Sequence, residues 1–479
     1  MEFLGVFASV LPEIILTVAG LILMLVATSE GEGVARMVGW LSAAALAIAG
    51  LALTLPAVHA GGLIFDGLYS ADAFSAFAKA LIFAAAAVSI LLAPSYFEAD
   101  GGLRAEYSVL IVFSAIGGAM MVSASDFITL YIGLELNSLA SYVLASFLRR
   151  DVRSAEAGLK YFVLGSLASG ILLYGMSLLY GFSGSTGFAG VAAAVGDGLS
   201  AGEMFGLVFV LSGIAFKVAA VPFHMWTPDV YEGSPTPVTT FFATAPKVAA
   251  MALFTRVTIE ALGPAGSAWQ QIVIFCALAS IVLGAVAAIG QQNIKRLLAY
   301  SSINNVGFVL IGLATGTPEG VAAVMSYLTI YVVMTLGSFA CVLQMRDKDG
   351  NPIESIASLS GLSQTRPGLA AALAIFMFSL AGIPPLFGFW AKFLVFDAAV
   401  AAGLTPLAAI GIAASVIGAY YYLKIVKTMY FDAPADSYAE DRSAFDYGVI
   451  TLCAAVIVLG YLLNPLLDSA SAAAAASLF

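Results

Sequence analysis

Residues 204–247 read MFGLVFVLSGIAFKVAAVPFHMWTPDVYEGSPTPVTTFFATAPK. The stretch to Val221 is an apolar run that carries Lys217 and stops at Pro222. A second run opens at Val238 and carries Lys247 directly behind Pro246. A charge at bilayer depth costs at least about 2.5–3.5 kcal/mol on insertion scales, so it normally faces a bundle interior or a wet cavity. Proline removes a backbone donor and loosens the helix around it. Carbonyls freed in this way can bind water where they line a cavity. Lysines beside proline breaks in apolar runs therefore point to a polytopic membrane protein that keeps charge inside the bilayer.

The rest of the chain has the same character. Of its 479 residues, 61% are hydrophobic and 10% charged, against roughly 25% charged in soluble domains. Runs of about 20 apolar residues recur, long enough to cross a hydrocarbon core of roughly 30 Å as helices. The expected fold is all-α, with about fourteen transmembrane helices. Residues 1–95 hold helices 1–3 (11–28, 37–58 and 73–92), residues 107–262 helices 4–8 (107–124, 127–148, 154–180, 204–221 and 238–262), residues 268–431 helices 9–13 (268–290, 294–314, 320–345, 368–401 and 406–431) and residues 445–467 helix 14 (445–463). The N-terminus lacks the basic region of a secretory signal and carries Glu2 and Glu13, so it reads as a retained first helix.

Loop charge orients this bundle. One set of alternate loops holds Arg36, Arg104, Arg149, Arg150, Arg153, Lys295, Arg296, Arg346, Lys348, Arg366 and Arg442. Lysine and arginine concentrate in cytoplasmic loops, so both termini are expected on the opposite, periplasmic side of a bacterial inner membrane. The formal net charge of −10 resides mostly in short loops. It implies no basic partner, and no nucleic acid is expected.

Helices 4–8 and 9–13 read as two copies. Lys160-Tyr161-Phe162 aligns with Ser326-Tyr327-Leu328, and Lys247-Val248 with Ser415-Val416. The Pro222 break after helix 7 corresponds to Pro384-Pro385 in helix 12. Five helices per copy place the copies in opposite orientation, the inverted repeat of many transporters, whose sites lie at broken helices near mid-membrane.

Six residues are candidates for chemistry. Glu135 lies near the middle of helix 5, roughly 14 Å from its start at 1.5 Å per residue, as a proton-binding carboxylate or a structural ion pair. Lys217 precedes the helix 7 break. Burial disfavours the charged form of either group and an approaching opposite charge restores it, so a Glu135–Lys217 pair of changing separation is a proton-loading switch. The alternative for Lys217 is a side chain snorkelling to an interface. Lys247 is the central relay candidate. Lys392, seven residues after Pro385, is the exit-side candidate. Lys160 is either a relay member or a snorkelling lysine, and His224 either bridges Lys217 and Lys247 through water or makes a structural hydrogen bond. Cys276, Cys341 and Cys453 lie far apart in apolar runs and read as packing residues. Neither a nucleotide motif nor metal-ligand spacing is present, so redox chemistry is not expected of this chain alone.

The segment FKVAAVPFHMWTPDVYEGSPTPVTTFFATAPK at 216–247 resembles the helix 7–8 region of the antiporter-like membrane subunits of respiratory complex I and of Mrp-type cation/proton antiporters. FSLAGIPPLFGFWAKF at 378–393 is similar to their helix 12, and IGLELNSLASYVLASF at 132–147 to their helix 5. Lysine at 392, where one paralogue carries glutamate, narrows the resemblance within the family. So does an end soon after helix 14, where another paralogue continues into a long lateral helix. The resemblance implies a proton-translocating subunit of NADH:quinone oxidoreductase, an enzyme of the translocase class. Glu135 and Lys217 would be its switch, Lys247 its centre, Lys392 its outward step and Lys160 a modulator. FMN, iron–sulfur clusters and quinone would belong to partner subunits, with no cofactor in this chain. Neighbouring antiporter-like and small membrane subunits would surround it in the lipid bilayer. The alternatives are an Mrp-type exchanger subunit and a non-pumping membrane anchor of a hydrogenase-like complex.

Overall fold

The computed structural model describes every residue except 1, 30, 98–101, 197, 348–349, 436–437 and 439–442. Lys348 and Arg442 of the predicted cytoplasmic loops lie outside the described residues. Among the described residues twelve helices are long and apolar enough to cross a membrane. Two shorter apolar helices, Leu11–Val26 and Pro367–Ala381, stand beside them.

Four predicted spans differ from the helices observed. Helix 7 ends at Val218, where Ala219 takes a left-handed conformation (φ 61°), and resumes as Trp226–Gly233. The predicted span 238–262 is three pieces: Thr236–Phe242, Ala245–Arg256 and a π-helical turn Val257–Ala261. Its break falls at Ala243–Thr244, immediately before Pro246, whose missing N–H cannot close the preceding turn. The predicted span 368–401 is Pro367–Ala381 followed by Phe387–Ala401, parted at Gly382 (φ 82°). The last span runs Ala444–Leu459 and, after a 3₁₀ turn, continues as Asn464–Ala476. Hydropathy follows the length of an apolar run and not the dihedral angles within it, so the runs were visible and only Pro222, Pro246 and Pro384-Pro385 marked interruptions within them.

A hairpin that hydropathy does not show lies between helices 2 and 3. Leu63–Ile64 pairs antiparallel with Tyr69–Ser70. The chain turns through Phe65, Asp66 and Gly67, all at positive φ, a conformation Asp-Gly accommodates readily. This turn delivers Tyr69 into the bundle.

The two five-helix segments share features at one constant displacement along the chain. Asp126 caps helix 5 by accepting from Ile128 and Thr129 N–H, and Asn293 caps helix 10 by accepting from Lys295 and Arg296 N–H. Asn137 Nδ2 donates to Ser114 O across helices 5 and 4 (2.9 Å), and Asn304 Nδ2 to Ile281 O across helices 10 and 9 (2.7 Å). Gly117 and Gly284 mark the closest approach of these pairs. A Cβ at either would stand 2.4 or 2.7 Å from the N of Asn137 or Asn304. Small residues let membrane helices close on one another and amide side chains bond across them.

Candidate functional site

The two helix breaks build the site. Ending helix 7 at Val218 leaves carbonyls without an intrahelical N–H partner, and deep in a bundle these need a donor. Lys247 supplies it. The Ala245–Arg256 helix packs beside helix 7, and Lys247 Nζ donates to Val218 O at 2.8 Å. The ammonium also lies 5.6 Å from the Trp226 ring centroid and 6.0 Å from that of Tyr231, both from the far side of the break. A cation at a helix C-terminus is favoured by the helix dipole, and aromatic faces add to that attraction.

Helix 12 repeats the arrangement. Lys392 Nζ donates to Ala381 O (3.0 Å), the last helical carbonyl before Gly382, and to Ser415 Oγ (3.0 Å), and lies 4.6 Å from the Phe308 ring centroid. The sequence alignment pairs Ser415 of helix 13 with Lys247 of helix 8, one residue off the displacement that relates the caps and amides. Among the described residues neither Lys247 (2% exposed) nor Lys392 (7%) has a carboxylate partner.

Lys217 and Glu135 sit near one another without direct contact. Lys217 Nζ donates to Ser138 Oγ and lies 5.5 Å from the Tyr142 ring centroid. Ser138, which donates to Leu134 O, is one turn along helix 5 from Glu135. Glu135 is half-buried, with Oε1 buried and unpartnered. It shares a side of helix 5 with exposed Ile128, Ile132 and Leu139.

The two remaining candidates separate from this series. Lys160 is 41% exposed at its side chain and bridges Glu156 (2.7 Å) and Asp229 (2.8 Å). It belongs to a network in which Arg296 holds Asp229 and Glu232, while Glu354 receives Arg153 and Lys295. His224 is bonded to neither Lys217 nor Lys247, and its Nδ1 is buried without a partner.

Sequence reasoning missed two buried clusters. Lys79, fully buried, pairs with Glu13 at 2.6 Å and donates to Tyr69 Oη at 2.6 Å. Arg256, also fully buried, holds Asp72 and Glu260, each at 2.6 Å, and donates from Nε to Val122 O. Together they fasten helices 1 and 3 to helix 8. Lys79 inside the apolar run 73–92 was the available signal. Its partner lies far away in sequence, so spacing could not reveal the pair. No group of three or more His, Cys, Asp or Glu residues arranged to hold a metal occurs among the described residues.

Buried lysines at paired helix breaks sit inside a helical membrane bundle, and comparison with known proteins specifies its family. Residues 124–418 match the family described as NADH:quinone oxidoreductase/Mrp antiporter, and the chain belongs to that family. Within it the chain groups with the N subunits of NADH-quinone oxidoreductase. It is 66% identical to that subunit from Rhizorhabdus wittichii over 100% of both chains. With that of Sphingopyxis alaskensis it is 61% identical, covering 98% of this chain and 99% of the relative. A chain of respiratory complex I from Thermus thermophilus superposes with a TM-score of 0.84 at 32% identity, covering 96% of this chain and 99% of that one. A chain of the Mrp complex from Dietzia superposes at 0.83 with 23% identity, over 99% and 97%, which shows a shared fold. This is accordingly a multi-pass membrane subunit of a bacterial oxidoreductase complex, with other subunits of that complex as its partners.

Proposed function

We propose that the chain carries protons across the bacterial inner membrane, driven by electron transfer from NADH to quinone in other subunits. One observation carries the reading: Lys247 and Lys392 are buried, have no carboxylate partner among the described residues, and are each bonded to a carbonyl exposed by a helix break. An ammonium with a permanent counter-ion is costly to discharge. One held by neutral carbonyls, hydroxyls and ring faces can lose its proton without stranding a buried anion.

In this reading Glu135 sits where a neighbouring subunit can reach it, and a change in its charge or hydration is felt by Lys217 through Ser138. Lys217 then alters its proton load, Lys247 follows across the helix 7 break, and Lys392 passes the proton outward. Lys160 tunes the cytoplasmic end through Asp229, and His224 lines the break. FMN, iron–sulfur clusters and quinone belong to the partner subunits, and both termini face the periplasm.

The test is Lys247→Ala in the assembled complex reconstituted into vesicles. We expect normal assembly, NADH-driven proton uptake close to background and quinone-reductase turnover lowered on the order of tenfold or more. Ordinary pumping by an assembled Lys247→Ala complex would sink the relay.

A further inference from the structure

The relay reading needs Lys217 and Lys247 to keep a constant relation across the helix 7 break, yet their side chains turn to different partners. Lys217 reaches Ser138 on helix 5, and Lys247 reaches the carbonyl of Val218. A series of rings connects the two. The Lys217 ammonium lies 5.5 Å from the Tyr142 ring centroid. Tyr142 meets Tyr161 of helix 6 edge to face, with centroids 4.9 Å apart and planes at 86°. Tyr161 lies flat on Trp226, 4.4 Å away with planes 4° apart. The Lys247 ammonium ends the series, 5.6 Å from the Trp226 centroid. All three residues are at most 5% exposed, so water does little to screen these contacts. Glycine at 165 makes room for the series: a Cβ there would stand 2.1 Å from Tyr142 Oη.

Trp226 is the member of the series that also touches the backbone of the break. It opens the segment that follows the break, Trp226–Gly233, and its Nε1 donates to Phe216 O at 2.9 Å. Phe216 belongs to the last turn of helix 7, one residue before Lys217. The bond therefore ties the first helical residue after the break to the last turn before it. An indole N–H only donates, so this tether is indifferent to where the transported proton sits. The bond from Lys247 to Val218 O is not. A hydrogen bond from a charged donor is roughly twice as strong as one from a neutral donor, so it weakens when the amine is discharged. The indole face is selective in the same way, because the ring quadrupole attracts a cation. Trp226 thus joins one contact that ignores proton load to one that depends on it.

We propose that Trp226 is a positioning residue for proton transfer across the helix 7 break. Its indole N–H holds the end of helix 7, its ring face holds the Lys247 ammonium, and its stack on Tyr161 reaches back through Tyr142 to Lys217. The proposal rests on the relay reading above. Trp226 itself carries no proton. It acts through the two lysines, by setting the separation over which they exchange one. When Lys247 is charged, the Val218 carbonyl and the indole face both draw it to the break. When Lys247 is discharged, both attractions weaken. The tether to Phe216 O then limits how far the end of helix 7 can move, so Lys217 stays over Tyr142 and the amine returns to the same place.

The experiment places fluorinated tryptophans at position 226 alone, in the reconstituted complex, beside Trp226→Phe, Trp226→Leu, Lys247→Ala and Trp40→Phe. Ring fluorines drain the negative ring face that attracts a cation and keep the shape and the N–H. NADH-driven proton uptake should fall in step with the number of fluorines, with at least a threefold loss at three. Trp226→Leu should lose at least fivefold, and Trp226→Phe, which keeps a ring but not the N–H, should lie between it and the unmodified protein. Trp40 is exposed on helix 2, so Trp40→Phe should match the unmodified protein. The fluorinated series preserves side-chain size and decides the matter if Trp226→Leu does not assemble. Unchanged uptake along that series, with uptake lost in Lys247→Ala, overturns the positioning role and leaves the relay standing, because any loss in Trp226→Leu then marks packing alone. Equal losses in Trp226→Phe and Trp226→Leu also overturn it. Normal uptake in Lys247→Ala overturns the relay itself.

Discussion

Lys79 and Glu13 form an ion pair with almost no access to water, and removing one partner of such a pair strands the other. Lys79→Met should therefore destabilise the chain by about 3–5 kcal/mol, and adding Glu13→Gln should recover most of that loss. Thermal release of this chain from the purified complex reads both. Equal stability of the single and double variants would contradict the pairing. Glu354 gives a pH dependence. Burial pushes its carboxyl up, but the Lys295 charge and hydrogen bonds from Arg153, Lys295 and Asn293 outweigh that and hold it at about 2, below the usual value of roughly 4.3. A depressed carboxylate contributes stability above its unfolded value, and that contribution fades as pH falls from about 4.3 towards 2. The contribution is up to about 3 kcal/mol. Melting curves between pH 6 and 3 should show this acid limb, flattened in Glu354→Gln.

At the scale of helices, two glycines decide how closely segments approach. Gly284→Ala would press a methyl to 2.7 Å from Asn304 N, against a helix lined with buried hydrogen-bonding side chains. Overpacking of this kind costs about 1–3 kcal/mol, read as lower assembly. Gly382→Ala differs in kind. It opposes a positive φ and places a Cβ 2.8 Å from Lys392 Cδ, so turnover should fall further than assembly does. Equal losses would mean that Lys392 is not held where it needs to be by the break. The long apolar runs and the lysines inside them were legible because burying charge is costly and leaves few readings. Pro222, Pro246 and Pro384-Pro385 marked where helices part. The Lys79–Glu13 pair was hidden, because each charge sits near the end of its own helix and only the tertiary fold joins them. Ser301, Ser302, Asn304 and Asn305 were hidden for a different reason. Helix 10 stays apolar enough to span despite them, and their meaning lies in hydrogen bonds to helices 9, 11 and 13.

Across the whole molecule, loop charge predicts which ends face which compartment. Cys276, Cys341 and Cys453 are buried and free, so an introduced cysteine would be the reactive one. Gly62→Cys, just before the hairpin strand Leu63–Ile64 and exposed, should react with a membrane-impermeant maleimide in intact cells. Arg150→Cys should react only in inside-out vesicles. The opposite pattern would invert the topology. The bond from Lys247 to Val218 O has a mechanical side. Discharging that amine removes the positive charge that steadies the loose end of helix 7, while charging it pulls the end tight. Stiffness at the hinge and occupancy by a proton then become one variable, and amide exchange over 216–226 should quicken whenever Lys247 is empty. In the proposed relay such a molecule needs no separate gate at its centre, because the cargo itself latches the joint.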